Sequence, residues 1–225
     1  MPSREIELTA SDGHRFTAYE ATPERAPKGG LVILQEIYGV TPHIKFVCDR
    51  FARHGYRSIA PSLYDRISRG IVMDYKGDAA KARELRNQVP WDQVLADVAA
   101  TAALLDGTGA GNAIVGFCWG GTAAWLAASR LPGLKATVPY YPTHLTGIVD
   151  EEPRCPVLIH LGERDHITPL SMAGALRARH GAILEIQIYP TGHGFDCNDR
   201  DDFHPSSASL ALERTLAFLE RYLKV

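Results

Sequence analysis

The segment Val115-Gly116-Phe117-Cys118-Trp119-Gly120-Gly121 constrains the fold of this chain more than any other stretch. It joins an apolar run, residues 113–117, to a helical pattern over residues 122–130. Glycines on both sides of one cysteine are typical of a sharp turn between a strand and a helix, where a Cβ atom would collide with neighbouring elements. The sequence therefore predicts a strand, a turn and a helix, with the Cys118 side chain presented at the turn.

A helix that begins directly after this turn favours chemistry at Cys118. The free N–H groups and positive dipole end of a helix N-terminus favour a thiolate over a thiol. The backbone N–H of Trp119 would point to where an oxyanion forms. Cysteine is also often a small buried core residue. This segment alone therefore leaves both a catalytic and a structural role open.

Apolar segments alternate with helical ones along most of the chain. Residues 4–9 and 16–20 predict a hairpin with a turn at Asp12-Gly13. Inner strands are predicted at 31–35, 56–60, 113–117, 134–140, 157–161 and 183–189. Helices are predicted at 43–54, 78–88, 91–105, 122–130, 169–180 and 206–223. This alternation predicts an α/β fold with a mainly parallel central sheet, helices on both faces and an N-terminal antiparallel hairpin.

Length and composition exclude several classes of protein. The 225 residues are enough for one well-buried domain, and no boundary is visible, so we expect a single domain over 1–225. With 45% hydrophobic residues, 22% charged residues and a formal charge of −2, the chain is typical of a globular protein that binds no nucleic acid. No apolar run reaches the ~18 residues of a membrane helix, and no signal peptide is visible. We expect a cytoplasmic monomer or weak homo-oligomer with no membrane partner.

The four cysteines are Cys48, Cys118, Cys155 and Cys197. They show no Cys-x-x-Cys spacing, which predicts free thiols in a reducing compartment. His193, Cys197 and His204 lie near one another in sequence but match no standard ligand pattern. We therefore expect neither a metal site nor a cofactor.

A catalytic thiol needs a base, and the base needs an acid that orients it. Asp165 follows the strand predicted at 157–161, and His193 follows the strand predicted at 183–189. The order nucleophile, acid, histidine is that of the α/β-hydrolases. Singly, each could be an ordinary loop residue, and Glu163, His166 and Asp196 are rival partners. Asp196 is too close to His193 in sequence to match the expected acid loop.

Glu36 is a second informative carboxylate, because it follows the apolar strand predicted at 31–35. In α/β-hydrolases the loop at this place supplies the other oxyanion N–H, here that of Ile37. A carboxylate beside a cysteine in a poorly solvated cleft either disfavours the thiolate or takes up the thiol proton. The alternative is a structural salt bridge between Glu36 and a nearby arginine.

The motifs that carry the chemistry also carry a family resemblance. They are Gln35-Glu36-Ile37-Tyr38-Gly39-Val40, Gly116-Phe117-Cys118-Trp119-Gly120-Gly121, Asp165, Gly192-His193-Gly194-Phe195 and Glu213-Arg214-Thr215-Leu216-Ala217-Phe218-Leu219. Through them nearly the whole chain resembles the dienelactone hydrolase family, the cysteine branch of the α/β-hydrolases. The resemblance implies an enzyme that opens an enol-lactone, carboxymethylenebutenolide, in aromatic degradation. It also implies that Cys118 is the nucleophile, His193 and Asp165 are its partners, and Glu36 controls thiol ionisation.

The sequence departs from the family where substrate should bind. Family members hold the substrate carboxylate with two arginines, and Cys197 stands at the position of the second. Arg200 could replace it, Arg83 or Arg86 could be the first, and Tyr38 is a further candidate contact. The weakened arginine pattern leaves open a cysteine-dependent carboxylesterase or thioesterase acting on a different, neutral ester. A third hypothesis is that the protein is not catalytic and uses the cleft as a binding pocket for a small molecule.

Overall fold

Eight strands form one sheet in this computed structural model, which describes residues 2–77 and 79–223. The strands are β1 (Ser3–Thr9), β2 (Arg15–Ala21), β3 (Gly30–Leu34), β4 (Arg57–Pro61), β5 (Asn112–Phe117), β6 (Ala136–Tyr140), β7 (Val157–Gly162) and β8 (Leu184–Tyr189). The helices are α1 (Pro42–Arg53), α2 (Ala79–Asn87), α3 (Trp91–Leu105), α4 (Trp119–Arg130), α5 (Ser171–His180) and α6 (Pro205–Tyr222). Short 3₁₀ helices span Leu63–Arg66, Asp106–Thr108 and Leu145–Gly147.

The strand order is β1-β2-β4-β3-β5-β6-β7-β8. Strand β2 pairs antiparallel with both β1 and β4, and every other neighbouring pair is parallel. The carboxyl ends of β3, β5, β6, β7 and β8 therefore meet at one edge of the sheet, where ligand sites of open α/β sheets form.

Alternation along the inner strands places apolar side chains on both faces of the sheet. In β3, Leu31 and Ile33 pack with α1 and α6, while Val32 and Leu34 pack with α3 and α4. Strand side chains alternate between faces, so a wholly apolar strand needs a helical layer on each side. On β7, Leu158 faces the same layer as α1 and α6. The opposite face of β7 packs on α4 and α5 in a third cluster that includes Trp125 and Leu176.

The predicted fold class is confirmed, and most boundaries differ by one or two residues. Helix α4 differs more, since it begins at Trp119 rather than at 122. Strand β4 ends at Pro61 rather than at 60, and Leu63–Arg66 forms a 3₁₀ helix where no element is predicted. The predicted start of the second helix, Asp78, lies outside the described residues.

None of the helices within 2–77 and 79–223 is long and apolar enough to cross a bilayer.

Candidate active site

Cys118 lies at the turn between β5 and α4, as the sequence predicts. Its backbone is in the left-handed region, with φ 54° and ψ −113°, a costly conformation for a residue with a Cβ atom and one that concentrates at functional sites. A Cβ at Gly120 would lie 2.5 Å from the carbonyl oxygens of Leu34 and Gln35, and one at Gly116 would collide with the Gly120 carbonyl. Both glycines are therefore required for this close crossing of helix and strands.

His193 and Asp165 lie together at the carboxyl ends of β8 and β7. The Nδ1 atom of His193 is 2.8 Å from Oδ2 of Asp165. The other carboxylate oxygen accepts the backbone N–H groups of Ile167, at 2.8 Å, and Thr168, at 3.0 Å. Because an ionised carboxylate only accepts hydrogen bonds, Nδ1 carries a proton, and Nε2 is the ring nitrogen left for Cys118.

The electrostatics of His193 couple it to the thiol. Burial lowers the pKa of His193, but the charge of Cys118 and the hydrogen bond with Asp165 raise it more, to about 10. His193 is only 5% exposed, so water does not replace these interactions. This environment stabilises the protonated ring of His193.

Glu36 faces Arg200 across the site. The Nη1 atom of Arg200 is 3.1 Å from Oε1 of Glu36, whose side chain is fully buried. Burial lowers the pKa of Arg200, but the negative charge of Glu36 raises it further, above its usual range. The second carboxylate oxygen, Oε2, is buried and has no hydrogen-bond partner among the described residues. Glu36 therefore has one oxygen held by a cation and one available for another donor.

Two tyrosines near Glu36 are absent from the predicted site. Burial raises the pKa of Tyr75, and the charge of Glu36 raises it further. The Tyr75 hydroxyl is 2.9 Å from Oγ1 of Thr41, and its ring lies 4.8 Å from that of Tyr38. Tyr141, with φ 36°, places its ring 5.0 Å from His193. Tyr141 directly follows a predicted strand, a signal that could have identified it, whereas Tyr75 lies in a loop without such a signal.

The two backbone N–H groups predicted to hold an oxyanion belong to Trp119 and Ile37. Trp119 is the first residue of α4, where an N–H has no acceptor within the helix. The carbonyl of Ile37 accepts the Tyr64 hydroxyl at 2.7 Å, which fixes the orientation of this segment. The Gly120 N–H donates to Gln35 O at 3.1 Å, so the two segments are in direct contact.

The remaining predicted arginines lie away from Glu36, on α2. Arg86 donates to Oδ1 of Asn87 at 2.6 Å and lines a cavity of about 270 Å³ together with Trp119 and His144. Arg83 is exposed. A second cavity, of about 650 Å³, is lined by Thr41, Tyr75 and Arg200 among others. The structure thus brings Arg200, but not Arg83 or Arg86, into contact with Glu36.

The rival site residues have other surroundings. Glu163 and His166 are exposed, and Asp196 is paired with Arg50, 2.8 Å from Nη2. Cys197 is buried, which raises its pKa to about 12 with a further contribution from the charge of Glu36. Cys48 and Cys155 are buried and free. Within the described part of the chain, no three histidine, cysteine or acidic side chains form a potential metal cluster.

A family model, curated proteins and solved structures each match this chain over most of its length. A family model described as "Dienelactone hydrolase family" matches residues 16–223. The chain is 36% identical over 233 residues to the "Putative carboxymethylenebutenolidase" of Escherichia coli (strain K12), covering 94% of this chain and 84% of that protein. It is 29% identical over 229 residues to the "Carboxymethylenebutenolidase" of Pseudomonas putida, covering 97% of both. A crystal structure described as "Putative Dienelactone Hydrolase" from Klebsiella pneumoniae is similar with a TM-score of 0.87 and 33% identity, covering 99% of this chain and 100% of that one.

Proposed function

This chain belongs to the dienelactone hydrolase family, and from that premise we propose that it opens an enol-lactone through an acyl-enzyme on Cys118. The family makes the chain a hydrolase of small-molecule lactones or esters. The observation that supports an acyl-enzyme on Cys118 is the 2.8 Å contact between His193 Nδ1 and Asp165 Oδ2, beside a cysteine with left-handed backbone. That arrangement matches the logic of a nucleophile, a base and an orienting acid.

The proposed reaction has two halves. The Cys118 sulfur, its proton transferred to His193 Nε2, attacks the lactone carbonyl, and the N–H groups of Trp119 and Ile37 stabilise the oxyanion. Collapse breaks the ring C–O bond, and the imidazolium protonates the departing enol oxygen, which stays on the acyl chain and rearranges to a ketone. His193 then takes a proton from water, whose oxygen attacks the thioester carbonyl. The C–S bond breaks, the imidazolium returns the proton to the sulfur of Cys118, and the keto-acid leaves.

Glu36 is the proposed control of thiol ionisation. Its buried carboxylate opposes a thiolate nearby, while Arg200 partly cancels that effect by pairing with one oxygen at 3.1 Å. A substrate carboxylate that attracts Arg200 would free Glu36 to accept the thiol proton and pass it on to His193 Nε2. Substrate binding would thereby favour the reactive thiolate, and the resting enzyme would be protected from other electrophiles.

Hydrolysis of a different, neutral ester or thioester is the second candidate function. Arg200 already has an anionic partner in Glu36, and the buried thiol of Cys197 stands where the family carries its second arginine. A substrate carboxylate would have to compete with Glu36 for one guanidinium. A charge-assisted bond contributes roughly 1.5 to 3 kcal/mol, so its loss would favour neutral substrates about ten- to a hundredfold.

The experiment is a substrate panel on wild type, Cys118→Ala and Arg200→Met, with dienelactone and neutral p-nitrophenyl esters and thioesters. Lactone opening requires turnover of dienelactone that Cys118→Ala abolishes and Arg200→Met reduces selectively. Turnover of neutral esters alone, unaffected by Arg200→Met, supports the second candidate. Activity of Cys118→Ala within tenfold of wild type would reject both.

A further inference from the structure

A buried ion pair connects the loop of His193 to helix α1. Asp196 lies three residues after His193, and its carboxylate accepts both terminal nitrogens of Arg50, with Nη2–Oδ2 at 2.8 Å and Nη1–Oδ1 at 3.3 Å. The Asp196 side chain is fully buried, and that of Arg50 is 13% exposed. Such a two-bond pair fixes relative orientation as well as distance.

The loop needs anchors because its own hydrogen bonds set only its shape. Between β8 and α6, Cys197 N donates to Gly194 O at 3.0 Å and Arg200 N to Cys197 O at 3.1 Å. These bonds stay within the loop. The N–H of Arg164, after β7, holds the start of the loop by donating to Thr191 O at 2.9 Å. Beyond that point the Arg50–Asp196 pair joins the loop to α1 across 146 positions of sequence.

The backbone of Asp196 lies within about 10 Å of that of His193, because three residues span at most this distance. An unpaired carboxylate at Asp196 would therefore add a second negative charge to the surroundings of the imidazole. We propose that Arg50 and Asp196 are a positioning pair for His193, in which the guanidinium fixes the loop and balances the charge of this second carboxylate. The proposal rests on the proposed function in one respect, that His193 is the catalytic base.

Other titratable groups surround the two partners. Three groups face His193. They are Cys118 at the turn between β5 and α4, Asp165 in the loop after β7 and Tyr141 at the end of β6. Asp196 faces His43 on α1, whose Nε2 atom is 3.9 Å from Oδ2. It also faces Tyr140 and Tyr141, whose pKa values are raised by burial and further by its charge. Arg50 is the cation paired with Asp196, so the pair is treated as a unit in the test.

The test begins with Asp196→Asn, which keeps the shape of the side chain and removes its charge. Arg50 cannot lose its proton, so the variant leaves an uncompensated positive charge near His193. The NMR titration of the His193 ring and both limbs of the kcat/KM profile should move to lower pH, by about 0.5 to 1 unit. In the double variant Asp196→Asn/Arg50→Met both charges are removed, so the limbs of the kcat/KM profile should return to their wild-type pH. Because the loop is still unanchored, kcat should remain about tenfold below that of wild type at unchanged KM. Asp199→Asn, an exposed aspartate of the same loop, should change neither.

The contrary outcomes are distinct. A folded Asp196→Asn protein with wild-type midpoints, or an equal shift in Asp199→Asn, would overturn the proposal. If Asp196→Asn does not fold, Arg50→Lys takes its place, since it keeps the positive charge and loses the two-bond contact with Asp196. We expect the limbs of its kcat/KM profile to stay at their wild-type pH and kcat to fall several-fold. A wild-type kcat in Arg50→Lys would overturn the proposal. The ring titration needs no turnover, so hydrolysis that survives Cys118→Ala would reject the proposed function while leaving this test intact.

Discussion

Cys118, His193 and Glu36 form a set in which every charge depends on its neighbours. The charge of Cys118 and the hydrogen bond with Asp165 raise the pKa of His193, whereas the carboxylate of Glu36 is paired with Arg200. Charges in a buried site interact more strongly than solvated ones. Changing one charge should therefore alter the reactivity of the thiol without altering the fold.

The first prediction concerns Glu36→Gln, which removes the carboxylate charge at nearly constant shape. With the anion gone and Arg200 uncompensated, the thiolate fraction should rise, and the pH profile of iodoacetamide alkylation of Cys118 should shift to lower pH by about one unit. Glu163→Gln removes an exposed carboxylate after β7 and serves as the control. Coincident alkylation profiles for wild type and Glu36→Gln would assign Glu36 a structural role.

At the scale of elements, the site depends on how closely α4 crosses β3 and β5. Gly120 in the first turn of α4 lies against the carbonyls of Leu34 and Gln35, and this contact sets where the Trp119 N–H points. Backbone atoms cannot move aside as a flexible side chain can. The direction of the Trp119 N–H, which we propose stabilises the oxyanion, is therefore a consequence of helix–strand packing.

The second prediction follows for Gly120→Ala, whose Cβ would lie 2.5 Å from two backbone oxygens. The helix must move, so we expect a loss of about 3 kcal/mol or more in the free energy of unfolding and loss of activity. The matched control is Gly174→Ala in α5, where a Cβ meets nothing within 4 Å; it should gain up to ~1 kcal/mol. Equal urea midpoints for wild type and Gly120→Ala would contradict the packing argument.

A buried histidine on β7 links three other elements. His160 on β7 contacts the Tyr189 hydroxyl at 2.8 Å and Thr215 Oγ1 on α6 at 2.9 Å, and Tyr140 on β6 contacts the same threonine at 2.7 Å. Burial lowers the pKa of His160 to about 3, with a smaller contribution from the charge of Arg214. The neutral ring is thus part of the folded state.

The third prediction is an acid destabilisation through His160. Its folded pKa lies below the ~6.5 of an exposed histidine, so the unfolded chain binds the extra proton, and stability is lost as pH falls from about 6.5 towards 3. Between about pH 7 and pH 4.5 this contributes roughly 2 kcal/mol. In His160→Gln the urea midpoint should fall less steeply with acid than in wild type or in the exposed control His166→Gln. Parallel pH dependence in all three proteins would contradict it.

For the whole molecule, the short-range features could be predicted from the sequence and the long-range ones could not. The turn that presents Cys118 lies within seven consecutive residues, and Asp165 and His193 each follow a recognisable strand. Because parallel strands align their carboxyl ends, local patterns sufficed to bring these positions to one edge. The family resemblance added the roles.

The ion pairs depend on how distant segments fold together. Arg200 reaches Glu36 across 164 positions of sequence, and Arg50 reaches Asp196 across 146. Neither arginine carries a local signal for its pairing, since arginines on a helix or in a loop are usually solvated. Loop shape also decided that Arg200, rather than Arg83 or Arg86, contacts the carboxylate.

The most direct test of the account is the mass of the protein itself during turnover. Wild type mixed with excess p-nitrophenyl acetate, quenched within milliseconds and analysed by intact mass and peptide mapping, should carry a single acetyl group. We expect that group as a thioester on the peptide containing Cys118, absent in Cys118→Ala and unchanged in Cys155→Ala. An acetyl group on another residue, or hydrolysis of the ester with no Cys118 adduct at any time, would contradict it.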